Sequence, residues 1–84
     1  MEKKPIGKVS HFFTHISVAV IDVTDTLNVG DTISFEGAST NFQQKVDSMQ
    51  IEKKSIQSAK KGQAIGMKTN ERVREGDIVY KIIE

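Results

Sequence analysis

Val29-Gly30-Asp31-Thr32-Ile33 and Glu75-Gly76-Asp77-Ile78-Val79 are two versions of one short segment. Each is a Gly-Asp turn that leads into an alternating strand. Glycine reaches the positive φ that a tight turn often needs. Aspartate hydrogen-bonds nearby backbone at such turns. Beyond the first turn, Ile33 and Phe35 recur at period two; beyond the second, Ile78, Tyr80 and Ile82 do the same. Period two is the signature of a strand, so the class is all-β.

Working outward, Pro5 to Phe13 reads as a first strand, with Gly7, Val9, His11 and Phe13 alternating against Ile6, Lys8, Ser10 and Phe12. Thr14-His15 is a short connection. Ile16 to Val23 reads as a second strand, apolar on both faces and therefore covered on both sides. A third runs from Thr32 to Glu36 and a fourth from Gln43 to Glu52. The apolar parity of the fourth slips between Val46 and Met49, which predicts a bulge there. Ser55 to Lys61 is expected to make a single helical turn before Gly62. Gln63 to Thr69 and Asp77 to Ile83 complete six strands. Short, evenly spaced strands predict a sandwich or a barrel, and closure into a barrel removes exposed edges. The expectation is a six-stranded closed β-barrel.

The chain of 84 residues is read as a single domain over 1–84, with an ordered core over about 5–83. A domain of this size hides only about 60% of its unfolded surface, so the core is thin. No run of apolar residues is long enough to span a membrane as a helix. Met1-Glu2-Lys3-Lys4-Pro5 is followed by Gly7, Lys8, Ser10 and His11, which do not make the apolar core of a secretory signal. Cysteine is absent, so the cytoplasm is the expected compartment. Twelve basic residues face eleven acidic ones, a balance that argues against binding nucleic acid by bulk phosphate neutralisation. The lysine pairs Lys3-Lys4, Lys53-Lys54 and Lys60-Lys61 read as solvated turns and strand ends.

No catalytic constellation stands out. His11 and His15, the two histidines of the chain, flank Phe12-Phe13-Thr14. Their spacing suits a metal pair on a helix, but the local pattern is strand and turn, so no metal site is expected. No serine lies in a Gly-x-Ser-x-Gly elbow, and no phosphate loop ends in Gly-Lys-Ser/Thr. The residues therefore predict a chain that is not an enzyme, and no cofactor. Phe12 and Phe13 are adjacent, so on a strand they point to opposite faces. An outward phenylalanine beside His11 and His15 is a candidate contact point.

Taken in order, Ile6-Gly7-Lys8-Val9, Leu27-x-Val29-Gly30-Asp31-x-Ile33, Val46-Asp47-Ser48-Met49, Ala59-x-x-Gly62-x-x-x-Gly66 and Val73-x-x-Gly76-Asp77-x-Val79 resemble the second, β-barrel domain of translation GTPases such as elongation factor Tu and initiation factor 2. The chain is closer still to stand-alone elongation factor-like proteins, and it also resembles the C-terminal barrels of U32 peptidase-family proteins. The resemblance covers nearly the whole chain and implies a Greek-key barrel of the translation-protein type. It does not extend to a GTPase domain, so no GTP binding is implied. The family strand that reads Glu-Met-Phe-Arg at the aminoacyl pocket reads Ser48-Met49-Gln50-Ile51 here, keeping only the methionine.

The reading that results is a non-catalytic binding module tied to translation or RNA, with tRNA, the ribosome or an RNA-modifying protein as partner. The alternative is a protein adaptor that works in trans with a partner enzyme and makes no RNA contact. Expected contacts are His11, Phe12, His15, Met49, Lys53 and Lys54. Expected structural turns are at Gly30, Asp31, Gly62, Gly66, Gly76 and Asp77.

Overall fold

In a computed structural model, which describes residues 2–83, ten strands follow one another along the chain: β1 (Glu2–Phe13), β2 (Val18–Val23), β3 (Leu27–Asn28), β4 (Thr32–Glu36), β5 (Asn41–Lys45), β6 (Met49–Ile51), β7 (Lys54–Ile56), β8 (Ser58–Ala59), β9 (Ala64–Lys68) and β10 (Ile78–Ile83). Eight of them form one antiparallel sheet in the order β5-β4-β10-β1-β2-β9-β6-β7, and β3 pairs with β8. The described residues include no helix, hence none long and apolar enough to cross a membrane. The molecule measures 33 × 26 × 20 Å.

The all-β expectation holds, but the six-stranded closed barrel needs correction. Among the described residues no strand pair joins β5 to β7, so the sheet is not closed by a hydrogen-bonded ladder. Its two ends are linked by other means. The run Val46–Ser48 carries the chain from β5, one edge of the sheet, to β6, the strand beside the other edge. The Gln44 side chain also bridges, donating to the Lys68 carbonyl at 3.1 Å and accepting from the Asn70 N–H at 2.7 Å.

The expected bulge at Val46–Met49 is a full break. Val46 N–H donates to the Asp31 carbonyl and its carbonyl accepts from Gly30 N–H, each at 2.9 Å. Those bonds leave Val46 no backbone group for a continued ladder, and the one long strand becomes β5 and β6. Ser55 to Lys61, expected as a helical turn, instead supplies β7 and β8. The second strand starts at Val18 rather than Ile16. Ser17, at φ 54, belongs to the turn before it.

β1 lies at the centre of the sheet, paired with β10 on one side and β2 on the other. Two register shifts re-phase it, one between Pro5 and Gly7 and one between Val9 and His11. Its inward residues are consequently Ile6, Val9 and Phe12 rather than a strict alternation. Gly7 is buried where a Cβ would sit 2.7 Å from Ile21 Cγ2, so the approach of β2 requires glycine. The core is built from Ile6, Val9, Ile21, Leu27, Ile33, Phe35, Met49, Ile65, Met67 and Val79, with Phe42 stacked on Phe35 at 5.0 Å between ring centroids.

Three turns share one design. Gly30, Gly62 and Gly76 have φ of +97°, +92° and +94°. In each, the residue after glycine donates its N–H to a carbonyl three residues back: Asp31 to Asn28, Gln63 to Lys60, Asp77 to Arg74, all at 3.1 Å. The same residue's side chain accepts the N–H of that earlier residue, at 2.9, 2.7 and 2.8 Å. Each turn is then pinned to a buried valine by a reciprocal pair of backbone bonds: Gly30 and Asp31 to Val46, Gly62 and Gln63 to Val23, Gly76 and Asp77 to Val9. Gly66 is different. It lies inside β9, paired with Val20 and Gln50, and its expected turn is corrected to a strand position.

Candidate functional site

The corner where β1 passes into β2 collects the chemistry the chain has to offer. Because adjacent strand residues face opposite ways, Phe12 turns toward the core and Phe13 turns out. Phe12 is half-buried against the core cluster, whereas Phe13 is 46% exposed. The turn Thr14–Ser17 is held by Ile16 N–H donating to the Phe13 carbonyl at 3.3 Å and by Thr69 N–H donating to the Ser17 carbonyl at 2.9 Å. Ile16 is left 59% exposed beside it. His11 meets the Phe13 ring edge-on, 4.4 Å between centroids at 72°. The corner thus exposes two large apolar side chains, Phe13 and Ile16, as a knob, with an imidazole against the Phe13 ring.

The inner side of the same corner is a cleft of about 210 Å³ lined by Phe12, Thr14, Arg72, Val73, Arg74 and Glu75. Val73 is buried and anchors the segment between two exposed arginines. The carboxylate of Asp77 holds Arg74 N–H, and Gly76 N–H bonds the Val9 carbonyl, so the cleft wall is fixed to β1 by one of the three glycine turns. Glu75 reaches across to His11, with Oε2 3.7 Å from Nδ1. Both side chains are exposed, so solvent weakens this contact. A second depression of about 220 Å³ lies over Gly66, between Val18, Ser48, Gln50 and Lys68.

The expected contact residues do not form one set. His11, Phe12 and His15 share the β1–β2 corner, with His15 exposed in the turn. Lys53 and Lys54 lie at the β6–β7 hairpin, on the far side of β2 and β9 in the sheet order. Met49 is corrected outright: it is 1% exposed, packed in the core and paired with Ile56, so it can touch no partner. Its inward position follows from strand alternation after the break at Val46. The sequence reading passed over Phe13 and Ile16 as a pair, and over Arg72 and Arg74. The alternation Arg72-Val73-Arg74, one apolar residue between two guanidinium groups, was the signal present for the latter.

No family model matches the chain. It is 45% identical over 83 residues to an uncharacterized protease of Methanocaldococcus jannaschii, a match covering 98% of this chain and 20% of that protein. It is 32% identical over 82 residues to a collagenase of Porphyromonas gingivalis, covering 95% of this chain and 23% of the collagenase. The chain thus spans about a fifth of the length of the curated relatives it matches. Among solved structures, the C-terminal domain of a Geobacillus thermoleovorans protein named as a U32 peptidase superposes with a TM-score of 0.89 at 18% identity, covering 95% of this chain and 93% of that one. Its selenomethionine variant gives 0.86 over 90% and 96%.

These likenesses support the U32 part of the resemblance; the translation-factor type is not supported by them. They also overturn the expectation that the chain is not an enzyme and point toward an enzyme family, because the relatives carry protease and collagenase names. A segment equal to a fifth of such a protein can lack a catalytic motif of its own, which is why residue-by-residue inspection pointed away from enzymes. In fold, the chain is similar to the C-terminal β domain of a U32 peptidase.

Proposed function

We propose that this chain serves as the accessory β domain of a U32-type enzyme, docking through the Phe13–Ile16 knob to the body that carries the chemistry. The carrying observation is the match along 98% of this chain to only 20% of the archaeal protease. A unit of that proportion is a module beside a larger body. Phe13 and Ile16, both exposed in the one turn, supply the apolar contact such docking uses. The reading covers both a body joined to this domain and one met in trans. The lack of cysteine fits a cytoplasmic setting for that work.

The test uses the M. jannaschii relative deleted of its matching segment, mixed with this 84-residue protein and followed by size exclusion and calorimetry. A one-to-one complex is expected, and Phe13→Glu is expected to weaken it about tenfold or more by placing a charge in the contact. Failure of wild type to associate with the deleted body, alongside a folded β domain, would rule the reading out.

A second reading is RNA docking, tied to translation or RNA modification. It is supported by Lys53-Lys54 at the β6–β7 hairpin and Lys60-Lys61 between β8 and β9, all four exposed. Its mark is affinity for tRNA that falls steeply with salt.

A further inference from the structure

The inner cleft of the β1–β2 corner has a use that docking through Phe13 leaves open. Arg72 and Arg74 both border it. Among the described residues, neither guanidinium has a carboxylate within ion-pair distance: the pairs present are Lys3–Glu36, Lys4–Asp25, His11–Glu75 and Lys81–Asp31. Glu75, adjacent to Arg74 in sequence, is directed at His11 instead. The half-buried Phe12 and the Thr14 hydroxyl supply an apolar wall and a donor. The main chain adds a further element. Among the described residues, the exposed Arg72 has no backbone hydrogen-bond partner for either its N–H or its C=O.

We propose that this cleft recognises an extended peptide segment in which an acidic side chain stands next to an apolar one. The carboxylate is taken by the guanidinium groups, whose planar forks match its geometry. The apolar neighbour lies on Phe12. The exposed main chain of Arg72 offers its N–H and C=O to the peptide backbone. Charge favours a peptide over a nucleic acid. Glu71 and Glu75 bracket the two arginines in sequence, so a backbone with a phosphate at every step would meet carboxylates on both sides of the guanidinium pair. A single carboxylate flanked by neutral residues meets only attraction. The site is on the opposite side of β1 from Phe13, and the inference does not depend on the identity of the body to which the domain docks.

The test is selection of random heptapeptides displayed on phage against the immobilised protein, followed by titration of the recovered consensus peptide. Recovered peptides are expected to carry Asp or Glu beside Leu, Ile, Val or Phe. The consensus peptide should shift the amide resonances of Phe12, Thr14 and residues 72–75. Replacing its acid by the amide should weaken binding about tenfold or more, as loss of a charge-assisted bidentate pair does. The Arg72→Gln/Arg74→Gln variant should lose binding by a similar factor. It should melt like wild type, because both side chains are exposed and Val73 is retained; a second variant, Thr14→Trp, fills the cleft by bulk with no change of charge and should also abolish binding. Phe13→Glu should leave peptide binding intact, which separates this site from the docking knob. Selection without acidic enrichment, or equal binding to the double variant, would overturn the proposal. So would tighter binding of oligouridylate than of the consensus peptide at the same resonances.

Discussion

At the scale of single residues, glycine and its follower decide the turns. At Gly30, Gly62 and Gly76 a Cβ would meet nothing within 4 Å, so space is not the constraint. The constraint is φ near +95°, a conformation that L side chains rarely adopt. Gly76→Val is therefore expected to cost about 1 kcal/mol or more through backbone strain alone, read as a shift in the urea midpoint. Gly66→Ala is the control. Its Cβ would rest 3.6 Å from Val18 Cγ1, an ordinary contact, and its melt should match wild type within a few tenths of a kcal/mol. Two of the three turns were legible because Gly-Asp repeats in the sequence. The third was not recognised as a copy, because Gln63 does with a longer side chain what Asp31 and Asp77 do. The same limit applied at the site. Phe12 and Phe13 could be assigned to opposite faces from alternation, whereas Arg72 and Arg74 lie outside any strand, where three alternating residues are too few to assign a face.

At the scale of elements, the fold was legible wherever pairing follows local pattern. Thr32–Glu36 alternates without interruption and is observed as β4 to the residue. Gln43–Glu52 was misread as one strand because the partner that stops it, the Gly30 turn, is distant in sequence. The β6–β7 hairpin shows a different conflict. Ile51 pairs with Lys54 across a two-residue loop, and Glu52 and Lys53 take φ of 50° and 67°. Two positive φ angles in such a loop favour Asn-Gly, yet two long charged side chains occupy it. Replacing both, Glu52→Asn with Lys53→Gly, is expected to stabilise the protein by about 0.5–1 kcal/mol by relieving αL strain, measured by thermal melting. An unchanged or lowered melting temperature would mean that the loop relaxes at no cost.

At the scale of the whole molecule, ion pairs tie the start of β1 to its surroundings. The Lys4 ammonium bonded to Asp25, with help from the Thr26 N–H, holds that carboxyl below its ordinary 3.8. Lys3, together with the Ser34 hydroxyl, holds Glu36 below its ordinary 4.5. A carboxyl whose folded pKa is depressed contributes stability above its unfolded pKa and loses it as pH falls through the folded value. Melting temperature should thus be level from neutral pH down to the ordinary carboxylate range and decline below it, with a shallower decline in Lys3→Met/Lys4→Met. These groups are partly exposed, so added salt should shrink the difference. The three valine-pinned turns act at this scale too, and they differ in the length of chain each must close. Val46 to Gly30 is the shortest loop, Val23 to Gly62 is longer, and Val9 to Gly76 joins the two ends of the molecule. Loop closure costs about 0.6 kcal/mol more for each doubling of length, so equal clamps do not form at equal times. Their spacing predicts an order of assembly, with the Val46 turn in the folding nucleus and the Val9 turn closing last. Asp31→Ala should then slow folding, whereas Asp77→Ala should mainly hasten unfolding, a division that the two arms of a denaturant chevron would separate.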